Sequence, residues 1–209
     1  MNWRIICFSE RVRSDVLVLP PGIRADYLRL AELMEEHGAD LRMLHSKAMG
    51  SGLFELRPKV PEGIGRVFYC TQVGQMIVVL HLFVKKTQKT PNNELDIATR
   101  RLKEVKKMQN EQFNPVAHDD AFVAQLLSDV ETRHAYDELE EGYVALHAVL
   151  RARREAGLTQ SEIAQRMGTT TSAVSRLESS LISQKHSPSF STLKKYARAC
   201  GKKLVISLA

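Results

Sequence analysis

The chain has 209 residues, 44% apolar and 26% charged. That is ordinary for a globular protein and enough for one sizeable core or two small ones. Three widely spaced cysteines, Cys7, Cys70 and Cys200, form no disulfide framework and fit no metal-ligand spacing, so they read as small buried hydrophobes in a reducing compartment. No signal-type run opens the chain and the longest apolar stretch, Met76 to Val84, is too short to span a membrane, so a soluble cytoplasmic protein is expected.

The net charge of +6 conceals a segregation. Residues 1–107 hold eighteen Lys/Arg against twelve Asp/Glu, net +6; residues 108–142 hold one Arg against nine acids, net −8; residues 143–209 hold eleven against three, net +8. Two basic modules flank an acidic one, and a polyanionic partner is expected for the basic parts.

In the first module, Trp3 to Phe8 reads as a strand. Pro20-Pro21 breaks the helix before it. Ile23, Tyr27, Leu30, Ala31 and Met34 then recur at helical spacing as far as Gly38. Leu53 to Arg57, Ile64 to Thr71 and Met76 to Val84 read as strands joined by hairpin turns, an antiparallel meander. A last helix opens at Thr90-Pro91 and runs through Leu95, Ala98 and Leu102 towards Lys107. The expected fold is α+β, a small antiparallel sheet with helices on one side of it.

The polar residues on these strands suggest a chemistry. Arg57 ends one strand, Arg66 lies in the next, and His81 interrupts a very apolar third. Lys85, Lys86 and Lys89 follow, with Tyr69 and Phe83 nearby. Cations beside aromatics suit a surface that grips a phosphodiester backbone and stacks a base. Cleavage of RNA by its own 2′-OH needs a base, an acid and cations near phosphorus. A purely structural arrangement is also open: His81 as a satisfied strand residue, Arg57 and Arg66 paired with Glu55 or Glu62, and the lysines as a solvated loop.

Four segments carry a resemblance. Leu53-Phe54-Glu55-Leu56-Arg57, Gly65-Arg66-Val67-Phe68-Tyr69-Cys70, Leu80-His81-Leu82-Phe83 and Lys85-Lys86-Thr87-Gln88-Lys89-Thr90-Pro91 together resemble the phage-derived HigB-type branch of the RelE/ParE toxin superfamily. The resemblance implies a RelE-like fold and a ribosome-dependent mRNA endonuclease. It implies Arg57 and Arg66 as phosphate and transition-state cations, His81 as general acid or base, and Lys85, Lys86 and Lys89 as contacts to RNA or the ribosome, beside which Tyr69 is expected as an RNA-contacting aromatic. ParE-like members of the superfamily act on gyrase instead.

Met108 follows a lysine-rich helix end and reads as the initiator of what was once a second reading frame. From Asp119 or Asp120, Phe122, Leu126, Leu127 and Val130 form an apolar stripe at helical spacing, with His134 next in line. An amphipathic acidic helix of this kind is expected to lie across the basic module as a toxin-neutralising interface, within one chain or between copies.

The last module is the most legible. A helix runs from Tyr143 to Gly157, and Thr159-Gln160-Ser161-Glu162 is a capping box that opens a second. Gly168 closes that helix, Thr170 caps a third over Thr171 to Ser179, and a fourth runs from Ser191 to Ala199. These segments, with Ser187-Pro188-Ser189-Phe190, resemble the Xre/Cro-type DNA-binding domain and the HigA antitoxin subgroup in particular. The third helix should enter the major groove, presenting Thr171, Ser172 and Ser175 to base edges and Arg176 to a base or phosphate, with Thr170 at its cap. Gln160 should reach a phosphate, with Arg166, Lys185 and His186 flanking. Thr171 stands where many relatives carry glutamine. A two-fold operator requires a homodimer, for which the alternating tail, Lys203 to Leu208, is a candidate strand.

The combined expectation is a fused toxin–antitoxin protein: a toxin module over 1–107, a neutralising segment over 108–142 and an autoregulatory DNA-binding domain over 143–209, with mRNA on the ribosome and operator DNA as partners. No cofactor, metal site or membrane is called for. The rival is a transcription factor whose first module is non-catalytic.

Overall fold

The computed structural model of the protein describes residues 3–38, 46–72, 75–85, 91–107, 115–183 and 187–206. They divide into two compact units, Met1–Glu138 and Leu139–Ala209. Met108, Lys86, Lys89, Thr90, Lys185, His186 and Leu208 lie outside the described residues. Among the described residues, no helix is long and apolar enough to cross a membrane.

The first unit is built on β1 (Arg4–Cys7), α1 (Glu10–Leu17), α2 (Pro21–His37), β2 (Ser46–Gly50), β3 (Leu53–Leu56), β4 (Lys59–Val60), β5 (Gly63–Gln72), β6 (Met76–Lys85) and α3 (Asn92–Lys106). Three further pieces, β7 (Val116–Ala117), α4 (Asp120–Leu126) and α5 (Val130–Glu138), form an arm that follows them. The strands make one sheet in the order β2-β3-β5-β6-β1-β7, with β4 against β5. The three expected runs are β3, β5 and β6, antiparallel as the hairpins require.

The sheet departs from a plain meander in two ways. β1 runs parallel to β6, pairing Arg4 with Met76 and Cys7 with Val79. β2 was not expected, because Ser-Lys-Ala-Met-Gly has no β-branched or aromatic residue to announce it. Pro91 is the residue before α3 rather than its first, the helix opening at Asn92.

Helices cover both faces of the sheet, where one face was expected. On one, Ala98, Leu102 and Val105 of α3 pack against Leu53, Phe68, Cys70 and Leu80. On the other, α2 comes so close to β5 that a Cβ on Gly65 would stand 2.8 Å from Cγ2 of Ile23. Glycine is what permits that approach. The buried carboxylate of Asp26 on α2 accepts the backbone N–H of Lys59 at 2.6 Å, satisfying the short β4. The three cysteines are free thiols and buried, as expected of apolar fillers.

The arm begins as an edge strand. β7 pairs antiparallel with β1, Ile6 opposite Ala117 and Cys7 opposite Val116. The Asp119 carboxylate accepts the Phe122 N–H at 3.0 Å and starts α4, whose Phe122 and Leu126 are fully buried. The expected single stripe then breaks. Asp129 accepts both the N–H and the hydroxyl of Thr132, at 3.0 and 2.6 Å, and starts a second helix instead. Leu127 is left half-buried, and Val130, now the first residue of α5, is 80% exposed. His134 is exposed too, so neither residue continues the apolar face. Inward positions on α5 are taken by Thr132 and Tyr136.

The second unit contains α6 (Glu140–Glu155), α7 (Gln160–Met167), α8 (Thr171–Ser180) and α9 (Phe190–Ala199). The capping box of Thr159 and Glu162 is complete. Gly168 ends α7 at φ +67°, a left-handed conformation that suits glycine in the tight turn to α8. Thr170 and Ser189 cap the two later helices through their hydroxyls. Ile163, Val174, Leu177 and Tyr196 form the core between α7, α8 and α9. The tail expected as a strand is not one: residues 202–206 have no regular structure, and Val205 and Ile206 are exposed.

Candidate functional site

The first cluster is made by cross-strand register. Glu55 of β3 faces Phe68 of β5, which faces His81 of β6, and Arg66 faces Phe83 one step along. Tyr69 pairs with Val79 while Phe68 pairs with His81, so Leu80 is an extra residue in β6, a β-bulge. Without it, alternation would send His81 and Leu80 to opposite faces. With it, both point to the α3 side of the sheet, where Leu80 joins the core and His81 meets α3.

Glu55 is buried and holds both arginines: Arg57 at 2.6 Å and Arg66 at 3.0 Å. One carboxylate therefore aligns two guanidiniums, and it is the partner that the structural reading of the sequence had offered. Arg66 is buried, and burial lowers its pKa while Glu55 pulls it back up. Arg57, with 39% of its side chain exposed, is the more open of the two cations.

His81 is engaged at both ring nitrogens. Nε2 contacts the Glu94 carboxylate of α3, and Nδ1 lies 3.5 Å from Nη1 of Arg101. The same Nη1 donates to the carbonyl of Leu80, the bulge residue, at 2.7 Å. The ring of Phe83 stacks near that of His81, centroids 6.1 Å apart. Glu94 and Arg101 were not singled out from sequence: thirteen and twenty residues separate them from His81, and nothing local signals the contact.

The remaining RNA-contact expectations separate. Tyr69 is fully buried, stacked on Phe54 at 5.3 Å, with its hydroxyl 2.7 Å from the Ser46 hydroxyl. A phenol so enclosed cannot stack a base, and that expectation is corrected. Lys85 is half-buried at the end of β6, while Lys86 and Lys89 are outside the described residues.

The arm sits on α1 and α2. Arg29 of α2 donates to the Tyr136 carbonyl from Nε at 3.2 Å and Nη2 at 3.0 Å. The Tyr136 hydroxyl donates to Glu32, and Arg24 pairs with Asp129 at 3.6 Å. Phe122 lies beneath the Arg13 guanidinium, 4.5 Å from ring centre, and edge-on to His118 at 5.3 Å. His118 in turn meets the edge of Tyr27 at 5.6 Å. Neither ring nitrogen of His118 nor the Tyr27 hydroxyl has a hydrogen-bond partner among the described residues. Burial pushes His118 down to about 4 and the Tyr27 phenol well up. Arg57, Arg66 and His81 are the basic module's cationic strand face, and the acidic helix is expected to lie across that module. It rests instead on helices, and α2 lies on the opposite face from that cluster.

In the second unit, Thr171, Ser172 and Arg176 are exposed on α8 and Ser175 is half-buried, the side opposite to the buried Val174 and Leu177. The Thr170 hydroxyl accepts the Ala173 N–H at 3.2 Å, so its side chain serves as a cap. Gln160 differs from expectation. Its Nε2 donates to Glu178 at 2.7 Å, so its amide is turned inward rather than offered to a phosphate. Glu178 is fully buried, and its other oxygen accepts the Tyr196 hydroxyl at 2.7 Å with Arg153 at 3.2 Å. Arg166 donates to the Ala199 carbonyl at 2.9 Å, closing α9.

Residues 14–103 match the family described as Phage derived protein Gp49-like (DUF891), and residues 149–206 match the Helix-turn-helix family. No curated protein matches the chain. The first match contains the Glu55 and His81 clusters and stops before the arm, whereas the second contains α7, α8 and α9 whole. The chain therefore joins a module of the RelE/HigB-like Gp49 toxin family to an Xre-type helix-turn-helix DNA-binding module, the composition of a toxin–antitoxin-like regulator.

Proposed function

We propose that the chain is a fused type II toxin–antitoxin protein whose first unit cleaves mRNA on the ribosome and whose second unit binds its own operator as an autorepressing dimer. The observation that carries the enzymatic half is the Glu55 clamp: two guanidiniums aligned by one buried carboxylate on the strand face that also bears His81. Paired guanidiniums suit a phosphate whose negative charge grows during attack by the neighbouring 2′-OH.

The neutralising role of residues 108–142 needs a different physical form from the one the sequence suggested. The arm does not lie on the cationic face. Its charge still acts: residues 1–138 contain nineteen Lys/Arg and nineteen Asp/Glu, so the first unit is neutral where residues 1–107 alone carry +6. Long-range attraction to a polyanion scales with such a surplus. In this reading the arm restrains the toxin module by cancelling its pull on RNA and by occupying the α1–α2 surface. Phe122 and Leu126 anchor it, and Leu127 contributes in part.

The test is transcriptome-wide mapping of RNA 5′ ends after induction of the full-length chain carrying R29A, which frees the arm from α2, beside R29A/R57A and R29A/R66A chains; the unsubstituted chain should yield fewer ends. New ends inside coding regions that vanish in the double variants support mRNA cleavage. Blocked DNA supercoiling without new ends would instead indicate action on gyrase, and neither effect would leave a DNA-binding regulator with a silent toxin-family unit.

A further inference from the structure

We infer that Glu94, not His81, is the group that takes the proton from the attacking 2′-OH, and that His81 and Arg101 are positioning residues behind it. This inference rests on the reading of the first unit as an RNA-cleaving module.

A guanidinium can only donate. Nη1 of Arg101, fixed on the Leu80 carbonyl at 2.7 Å, faces His81 Nδ1 at 3.5 Å, so Nδ1 is the nitrogen with the lone pair. The ring proton is then on Nε2, the atom that meets the Glu94 carboxylate. His81 consequently has no nitrogen lone pair free to abstract a substrate proton: one is occupied by a cation, and the other position already carries hydrogen. A general base must reach the proton it removes, and geometry is the first criterion.

Glu94 meets that criterion better. It keeps a second carboxylate oxygen beyond the one bound to His81, and 23% of its side chain is exposed against 11% for His81. It stands in the first turn of α3, where a carboxylate is favoured by the helix dipole, and that alone would make it an ordinary helix-start acid. The second observation is the chain of contacts behind it, half-buried Arg101 to buried His81 to Glu94, assembled by a bulge that turns the imidazole towards α3. An unneeded helix-start acid has no use for such a support. Arg66 is diagonal to His81 across β5 and β6, a separation on the order of 7–8 Å that a ribose and its 3′ phosphate can bridge.

The step balances without any further reagent. Glu94 takes the 2′-OH proton and the 2′ oxygen forms a bond to the adjacent phosphorus while Arg57 and Arg66 hold the phosphate oxygens. The bond from phosphorus to the 5′ oxygen breaks, and that oxygen takes a proton from water. The products are a 2′,3′-cyclic phosphate and a 5′-hydroxyl, and Glu94 returns its proton to solvent.

Two measurements on the full chain test this. Long-range proton–nitrogen correlation spectra of the histidine rings should show His81 protonated on Nε2, in wild type and in E94Q, whose amide oxygen can still accept. A ring protonated on Nδ1 would overturn the assignment with no reference to activity. In RNA cleavage by the arm-freed R29A chain, adding E94Q should cost about 10²- to 10⁴-fold, the usual worth of a positioned base. H81Q can still donate an N–H to Glu94, so in the R29A chain it should stay within about ten-fold of the unaltered His81 and well above H81A, whose donor is gone. Full activity in E94Q, or H81Q as dead as E94Q, would sink the proposal. If the R29A chain, with its arm freed, yields no new RNA ends while the ring carries its proton on Nε2, the nuclease reading has failed and the role of Glu94 falls with it.

Discussion

The guanidinium of Arg29 lies 3.6 Å from the centre of the Tyr136 ring while two of its nitrogens donate to that residue's own carbonyl. One side chain of α2 thus holds both the ring and the backbone of α5. Charge-assisted bonds of this sort contribute about 1.5–3 kcal/mol each, and a cation over an aromatic face about 0.5–2 kcal/mol. We expect R29A to release α5 locally. Amide hydrogen exchange over residues 130–138 should accelerate at least ten-fold while protection in β5 and β6 stays unchanged. Equal acceleration throughout the unit would show that the arm and the sheet open together.

His118 gives the first unit an acid sensitivity. An unfolded imidazole titrates near 6.5, and burial holds this one at about 4. Between those values the unfolded chain takes up a proton that the folded chain refuses. Stability is therefore intact above pH 6.5 and declines as pH falls towards 4, by about 3 kcal/mol in all. The groups around the ring are Tyr27, Phe122, Asp119 and Arg13; Asp119 opposes the shift and Arg13 adds to it. H118L should flatten the fall of Tm with acid, and it should also raise Tm at neutral pH by removing two unsatisfied ring nitrogens.

Glu178 and Arg176 are near neighbours on α8 with opposite duties. E178A strips the partner from Tyr196, Gln160 and Arg153 at once and should destabilise the second unit by about 3–5 kcal/mol. R176A touches no core group and should leave the unfolding free energy within about 0.5 kcal/mol of wild type. Binding to DNA from upstream of the coding sequence, measured by fluorescence anisotropy across a salt series, should weaken in R176A. If the residue contacts phosphate, its salt slope should fall by about 1.

Gly65 can be tested by filling the space it leaves. A Cβ there would press on Ile23 at 2.8 Å, so G65A should cost about 1–3 kcal/mol in chemical denaturation. In the G65A/I23A pair the two costs should sum to less than their separate values, because the clash is gone.

What was legible in the chain follows from where the signal lay. The capping box at Thr159, the glycine at 168 and the hydroxyl at Thr170 are local, so the second unit could be read almost residue by residue. β3, β5 and β6 announced themselves through apolar runs. The bulge at Leu80 did not, because an inserted residue in a continuous apolar stretch leaves the pattern unaltered while reversing which face His81 occupies. The arm failed for a related reason: Phe122, Leu126 and Val130 keep perfect four-residue spacing, yet Asp129 can cap a new helix and does. The seat of the arm on α2 depends on Arg29 and Tyr136, which are 107 residues apart and individually unremarkable.

The two residues of β7 have a practical consequence for anyone who cuts the chain. They cap the outer rim of β1, whose other side is already bonded to β6. A fragment ending at Lys107 would leave Ile6 and Cys7 with raw main-chain donors and acceptors along that rim, an invitation for copies to zip together. Silence from such a fragment in a growth assay would then report clumping as readily as lost chemistry, so point substitutions in the intact chain are the cleaner instrument.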